Sequence, residues 1–158
     1  MKPDKVDTIV QQWETERSDL DASPLHILSR LFRISAKLQK EAAKTLKEFE
    51  LEYWEFDVLA ALRRHGKPFS LPAAVLSGVC LSSQGAMTNR VDRLMERELV
   101  ERQADEKDRR KVLVTLTKKG KLIVDQALEA RLKLAKLGLK HLSTSEKTTL
   151  ENLLRKLM

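Results

Sequence analysis

Gln84, Thr88, Asn89, Asp92 and Arg93 recur at helical spacing, and each ends in a group that donates or accepts hydrogen bonds. On the outward face of a helix such side chains suit the reading of base edges. The opposite face is apolar, because Met87, Val91, Leu94 and Met95 recur at intervals of three or four, so this helix rests on a core. Ser82 or Ser83 can cap its start by accepting from orphan amides. Further on, Asp105, Glu106, Lys107, Asp108, Arg109, Arg110 and Lys111 crowd into one short stretch. Charge of that density cannot be buried and projects into water or onto a polyanion.

The elements that position these residues can be read outward from them. After Leu99 the period changes to two: Val112, Val114 and Leu116 fall on one strand face, Leu113 and Thr115 on the other, so two short strands flank the charged tip. A capped polar helix followed by a basic hairpin is the layout of a winged helix. Before it, Ser70 is expected to cap a short helix carrying Val75, Leu76 and Val79, with Gly78 at its end. That helix and Leu81 to Leu99 form the two halves of a helix-turn-helix. Trp54, Phe56, Leu59, Ala60 and Leu62 signal a preceding helix that stops at His65 and Gly66, where glycine can take the left-handed cap conformation.

Terminal helices flank this module. Val6, Ile9, Val10 and Trp13 give an amphipathic helix after Pro3 and Asp4. Ser23 and Pro24 start a long one whose stripe runs Leu28, Leu31, Phe32, Ser35, Leu38, Ala42 and Phe49. Thr117 starts another with two seams, one of Ile123, Ala127, Ala130, Leu134 and Leu137, the other of Leu128, Leu132, Ala135, Leu139 and Leu142. Two seams need two neighbours, so one faces the chain's own core and the other a partner chain. A capping box, Ser143 to Glu146, opens the last helix, which continues through Leu150, Leu153, Leu154 and Leu157. The expected fold is mainly α with a small β wing, in one domain over 1–158. Residues 1–50 and 118–158 supply N-terminal and C-terminal dimerisation helices, and 51–117 the winged helix-turn-helix.

Composition agrees. The chain has 158 residues, 4% of them aromatic and only 5 glycines, which favours helices over a sandwich or barrel. A formal charge of +7, doubled in a symmetric dimer, favours acidic partners, nucleic acid ahead of membrane. Cys80 is the single cysteine, so no intrachain disulfide can form. With no apolar run of membrane-spanning length and no signal-peptide core, the expected location is the cytoplasm. His26, His65 and His141 are dispersed, and no metal, phosphate-loop or nucleophile–base pattern occurs, so neither a cofactor nor catalysis is expected.

The run GAMTNRVDRL, Gly85 to Leu94, and the wing DEKDRRKVLVTLTKKG, Asp105 to Gly120, resemble the MarR family of winged-helix repressors, and with the flanking helices the likeness covers Pro24 to Met158. The resemblance implies a homodimer joined through its terminal helices, with the second helix of the motif in the major groove and the wing in the minor groove. It places Ser83, Gln84, Ala86, Thr88, Asn89 and Arg93 against base edges and phosphates, where arginine suits guanine and asparagine suits adenine. It makes Asp108 and Arg110, with Arg109, the wing-tip set, in which the carboxylate orients an arginine that reads groove width and potential. The chain departs from the family with Glu98 where glycine is common before the first wing strand, and with Lys107 where arginine is frequent.

A narrower likeness concerns the urate-responsive branch, in which an extra N-terminal helix bears a tryptophan. Trp13, Asp57, Arg90 and Arg102 match that branch's four positions. The implied effector is urate or a similar flat anion that stacks on Trp13 and pairs with Arg102, between the dimerisation helices and the reading lobe. Its charge would repel Asp57, and Arg90, if paired with Asp57, would carry the displacement into the recognition helix. Plainer readings stand beside this one: Trp13 as a packing anchor, Asp57 and Arg90 as a structural ion pair, Arg102 as a strand residue or phosphate contact. Two alternatives remain for the function, a thiol-responsive regulator using Cys80 and an architectural DNA-binding protein without an effector.

Overall fold

The computed structural model describes residues 2–104 and 112–158. The expectations for Asp108, Arg109 and Arg110 lie outside them. The chain divides into two compact units, Met1–Ala42 and Ala43–Met158.

In the first unit α1 (Lys5–Glu16) opens on a capping box. The Asp4 carboxylate accepts from the Val6 amide at 2.7 Å, and Asp7 accepts from the Asp4 amide at 2.7 Å. Arg30 lies on α2 (Leu25–Lys47), which begins directly after Pro24. It donates to Asp4 at 3.0 Å and to Asp7 at 2.7 Å, pinning the start of α1. Val6 and Val10 are buried and Ile9 half-buried.

The second unit contains α3 (Tyr53–Arg64), β1 (Ser70–Pro72), α4 (Ala73–Val79), α5 (Gln84–Glu96), β2 (Val100–Ala104), β3 (Val112–Leu116), α6 (Lys118–Gly138) and α7 (Thr144–Arg155). The three strands form an antiparallel sheet in the order β1-β3-β2, with Ser70 opposite Thr115 and Arg102 opposite Val114. The winged helix-turn-helix of helices and a small sheet is therefore present. Leu59, Leu62, Leu76, Met87, Leu94 and Val114 are essentially out of water, each contributing about 1.5–3 kcal/mol by burial.

Three local expectations need correcting. Ser70 does not cap α4: Thr115 donates to its hydroxyl at 2.8 Å and pairing with β3 draws it into β1, leaving Pro72 at the helix boundary. Phe49 lies past the end of α2, in a turn, packed against the core of the second unit. Of the two serines before α5, Ser83 is the cap, accepting from the Ala86 amide at 3.3 Å.

Helices α2, α4 and α5 end alike, on a non-glycine residue in the left-handed region: Glu50 at φ 55°, Leu81 at φ 47° and Glu98 at φ 59°. At α5 the Glu98 amide donates to the Met95 carbonyl at 2.8 Å, and the Leu99 amide to Leu94 at 2.9 Å. These paired bonds satisfy the terminal carbonyls, and Leu94 closes on Leu99 inside the core. The departure at Glu98 thus keeps the glycine-type turn and accepts about 1 kcal/mol of backbone strain.

The Leu99 carbonyl then joins the recognition helix, wing and α6. It accepts from the Thr117 amide at 3.2 Å and the Thr117 hydroxyl at 3.2 Å. Thr117 caps α6 by accepting from the Gly120 amide at 2.9 Å. A side chain at Gly120 would place its Cβ 2.0 Å from the Leu99 carbonyl oxygen. Along α6, Asp125 accepts from Lys121 at 2.7 Å and from Arg63 of α3 at 2.7 Å. Those two cations hold its carboxyl below the ordinary value. The resulting stabilisation is present above the ordinary carboxylate range and lost as pH falls through the lowered folded value. Because the Leu99 contact is to backbone and cannot be relieved by a rotamer change, Gly120→Ala is expected to lower the unfolding free energy by about 1–3 kcal/mol. Urea denaturation measures this, and an unchanged midpoint would contradict the close approach.

Candidate nucleic-acid interface

The helix-turn-helix places α5 on the core through Met87, Val91 and Leu94, which are buried. Ser83, Gln84, Ala86, Thr88, Asn89 and Arg93 are all exposed. The Thr88 hydroxyl donates to the Gln84 carbonyl at 3.1 Å, which uses its proton within the helix and leaves lone pairs outward. Arg93 lies over the Trp54 ring at 5.0 Å and Arg90 over the same ring at 5.7 Å. Trp54 is thus a shared platform that orients both guanidinium groups from α3.

An ion pair that the sequence did not suggest fixes the other end of the helix. Glu55 is 3% exposed and accepts from Arg97 at 2.8 Å, while its second oxygen accepts from the Glu52 amide at 2.8 Å. A buried carboxylate needs both partners, so the start of α3 and the end of α5 are tied. The spacing Glu52 to Glu55 is a capping-box signal that could have revealed half of this arrangement; Arg97 carried no local signal.

The four residues proposed for a ligand are distributed as follows. Trp13, in the first unit, is 51% exposed and lines an open cleft of about 320 Å³ with Arg17, Leu20, Asp21, Ala22, Pro24 and Leu25. Arg17 is already held by Asp19 at 2.6 Å. In the second unit, Arg102 donates to the Asp92 carboxylate and to the Thr88 carbonyl, the latter at 3.2 Å. It therefore clamps the first wing strand onto the recognition helix. Asp57 is half-buried, and its carboxylate acts on the Cys80 thiol. No ion pair joins Asp57 to Arg90 among the described residues; both instead bear on Cys80, together with Arg64.

Burial first, then the charge and hydrogen bond of Asp57, push the Cys80 thiol up to about 11, against the opposing pull of Arg64 and Arg90. A thiol so protonated is a poor nucleophile.

Comparison with known proteins agrees with this geometry. The MarR family model matches residues 49–111. The chain is 33% identical over 150 residues to the HTH-type transcriptional regulator PecS of Dickeya dadantii, covering 95% of this chain and 90% of that one. A mutant of MarR from E. coli, solved in complex with operator DNA, is 30% identical with a TM-score of 0.71, covering 83% of this chain and 93% of that one. Bordetella bronchiseptica BpsR, solved to explain regulation of its DNA binding by 6-hydroxynicotinic acid, is 27% identical with a TM-score of 0.69, covering 83% and 91%. A winged helix-turn-helix with an exposed polar recognition face defines a class of DNA-binding transcription regulators rather than enzymes. The chain belongs to the MarR family within that class.

Among the described residues no helix is long and apolar enough to cross a membrane. At pH 7.5 the native Cys80 thiol is expected to react with Ellman's reagent at least about tenfold more slowly than in urea. Asp57→Asn should speed the native reaction by removing the charge that holds the proton. Equal native and unfolded rates would contradict the burial of Cys80 and the effect of the Asp57 charge.

Proposed function

We propose that the chain is one regulator domain that acts as a homodimeric repressor, binding a pseudopalindromic operator and leaving it when a small anionic ligand such as urate binds. The observation that carries the DNA half is the exposed row Gln84, Thr88, Asn89 and Arg93 on a helix whose other face is buried. In this reading Ser83, Gln84, Ala86, Thr88, Asn89 and Arg93 meet bases and phosphates in the major groove, and Asp108, Arg109 and Arg110 enter the minor groove. Operator binding by the E. coli MarR mutant supports it.

The dimer is supported by apolar surface left without cover. No residue of α7 is buried, although it carries Leu150, Leu153 and Leu154. On α6 Val124 and Ala127 are buried, while Leu128, Leu132 and Leu139 are 38%, 53% and 45% exposed. The seam of Leu128, Leu132 and Leu139 is the one expected to meet a partner.

For the ligand, the half-exposed Trp13 ring offers a stacking surface to a planar molecule. Arg102 offers charge, but an anion there must displace the Asp92 carboxylate, which would loosen β2 from α5. That competition links ligand to recognition helix, and a coupling of about 1–3 kcal/mol suffices for release. The regulation of BpsR by 6-hydroxynicotinic acid, another flat heterocycle that carries a negative charge, supports the ligand class. The thiol alternative is disfavoured by the buried, protonated Cys80.

Two substitutions separate the halves. Arg110→Ala is expected to weaken operator binding by about tenfold or more while sedimentation still shows a dimer; unchanged affinity at moderate salt would contradict the wing assignment. Trp13→Phe should leave operator affinity in place and blunt release by urate. A wild-type complex that ignores millimolar urate would overturn that ligand.

A further inference from the structure

Leu81 is 96% exposed and sits at φ 47° in the turn between α4 and α5. The Leu81 amide donates to Gly78 at 3.3 Å and the Ser82 amide to Ser77 at 2.9 Å, the same bonding that ends α2 and α5. At those two ends the left-handed position holds a polar glutamate, and the turn is closed by a buried leucine pair, Leu46 with Leu51 or Leu94 with Leu99. Here the corresponding pair is Ser77 and Ser82, and the left-handed residue is a large apolar one. Leucine at this position is unfavourable in its backbone and unfavourable in water, and at 96% exposure no burial among the described residues offsets either. Among the described residues the other large apolar side chain in the left-handed region is Phe69 at φ 64°, and it packs against the core, whereas Leu81 stands in water. Strain that the fold does not use points to function.

The place of this residue narrows that function. It precedes the cap Ser83 by two positions and so stands at the N-terminal end of the recognition helix, the end that enters the groove. Two residues before it Val79 is 43% exposed, and Val75, one turn earlier, 44%. Resting on the DNA-binding reading above, we propose that Leu81 makes an apolar contact with operator DNA, with a thymine methyl group or the adjoining deoxyribose. It would add selectivity that the polar row alone does not supply.

The test uses the full chain and a fluorescein-labelled duplex selected from random DNA, read by anisotropy. Leu81→Gly and Leu81→Asn both accept the left-handed backbone, so they should melt no lower than wild type and keep its sedimentation. They should bind the duplex about tenfold more weakly. Their affinity should change with salt as steeply as that of wild type, because no phosphate contact is lost. Leu81→Met should restore binding to within about twofold. Replacing thymines one at a time by deoxyuridine separates the two apolar sources. One sensitive position in wild type that is insensitive in Leu81→Gly marks a methyl contact, and a loss in the variants with no sensitive position marks the sugar. The proposal is overturned if the variants bind like wild type, lose salt dependence, unfold earlier or change their association state. A wild-type protein that selects no sequence at all would instead sink the DNA-binding reading itself.

Discussion

The close seat of Gly120 against the Leu99 carbonyl is the constraint on which the reading module depends. At that point the recognition helix has just ended, the first wing strand begins, and α6 starts from the Thr117 cap. The Leu99 carbonyl accepts from the Thr117 amide and is closely approached by Gly120, so the return strand and α6 are set relative to α5 largely by backbone atoms. Main-chain contacts of this kind have no rotamers to absorb a displacement. A shift of α6 would therefore reach the wing and the recognition helix together.

Around this joint the recognition helix is held at three further places by different physics. The buried Glu55 carboxylate fixes its C-terminal end through Arg97. Trp54 carries Arg90 and Arg93 across its ring. Arg102 ties its middle to β2 through Asp92 and the Thr88 carbonyl. In the first the Glu55 carboxylate is buried although Arg97 reaches solvent, and removing the arginine would leave that charge uncompensated. The last is partly exposed, with the Asp92 side chain 47% accessible, and is the contact most open to competition by an added anion.

Much of this architecture was legible where the signal is local. The Thr117 cap, the Ser143 box, Gly66 and the alternating wing strand can be read because caps and period-two patterns lie within a few residues of what they organise. The strand at Ser70 could not, since three residues ending in proline have no period and become a strand only by pairing with Thr115, far along the chain. Its serine therefore resembled a helix cap. The exposed face of α5 was legible from helical spacing, but not what its neighbours do. The partners of Arg97, Arg102 and Arg93 are set by tertiary packing, and among the described residues Arg90 lies over Trp54 without an ion pair to Asp57. The left-handed Leu81 had no sequence mark, because glycine or asparagine, not leucine, signals such a turn.

A face of α5 that reads sequence, and not only charge, must tell one duplex from another of equal charge. An anisotropy titration of the wild-type protein at about 150 mM salt measures this most directly, against a selected pseudopalindromic duplex and a scrambled duplex of equal length and composition. One dimer is expected per selected duplex, bound about a thousandfold or more tightly than the scrambled one. Equal affinities for the two duplexes, falling together as salt rises, would contradict it.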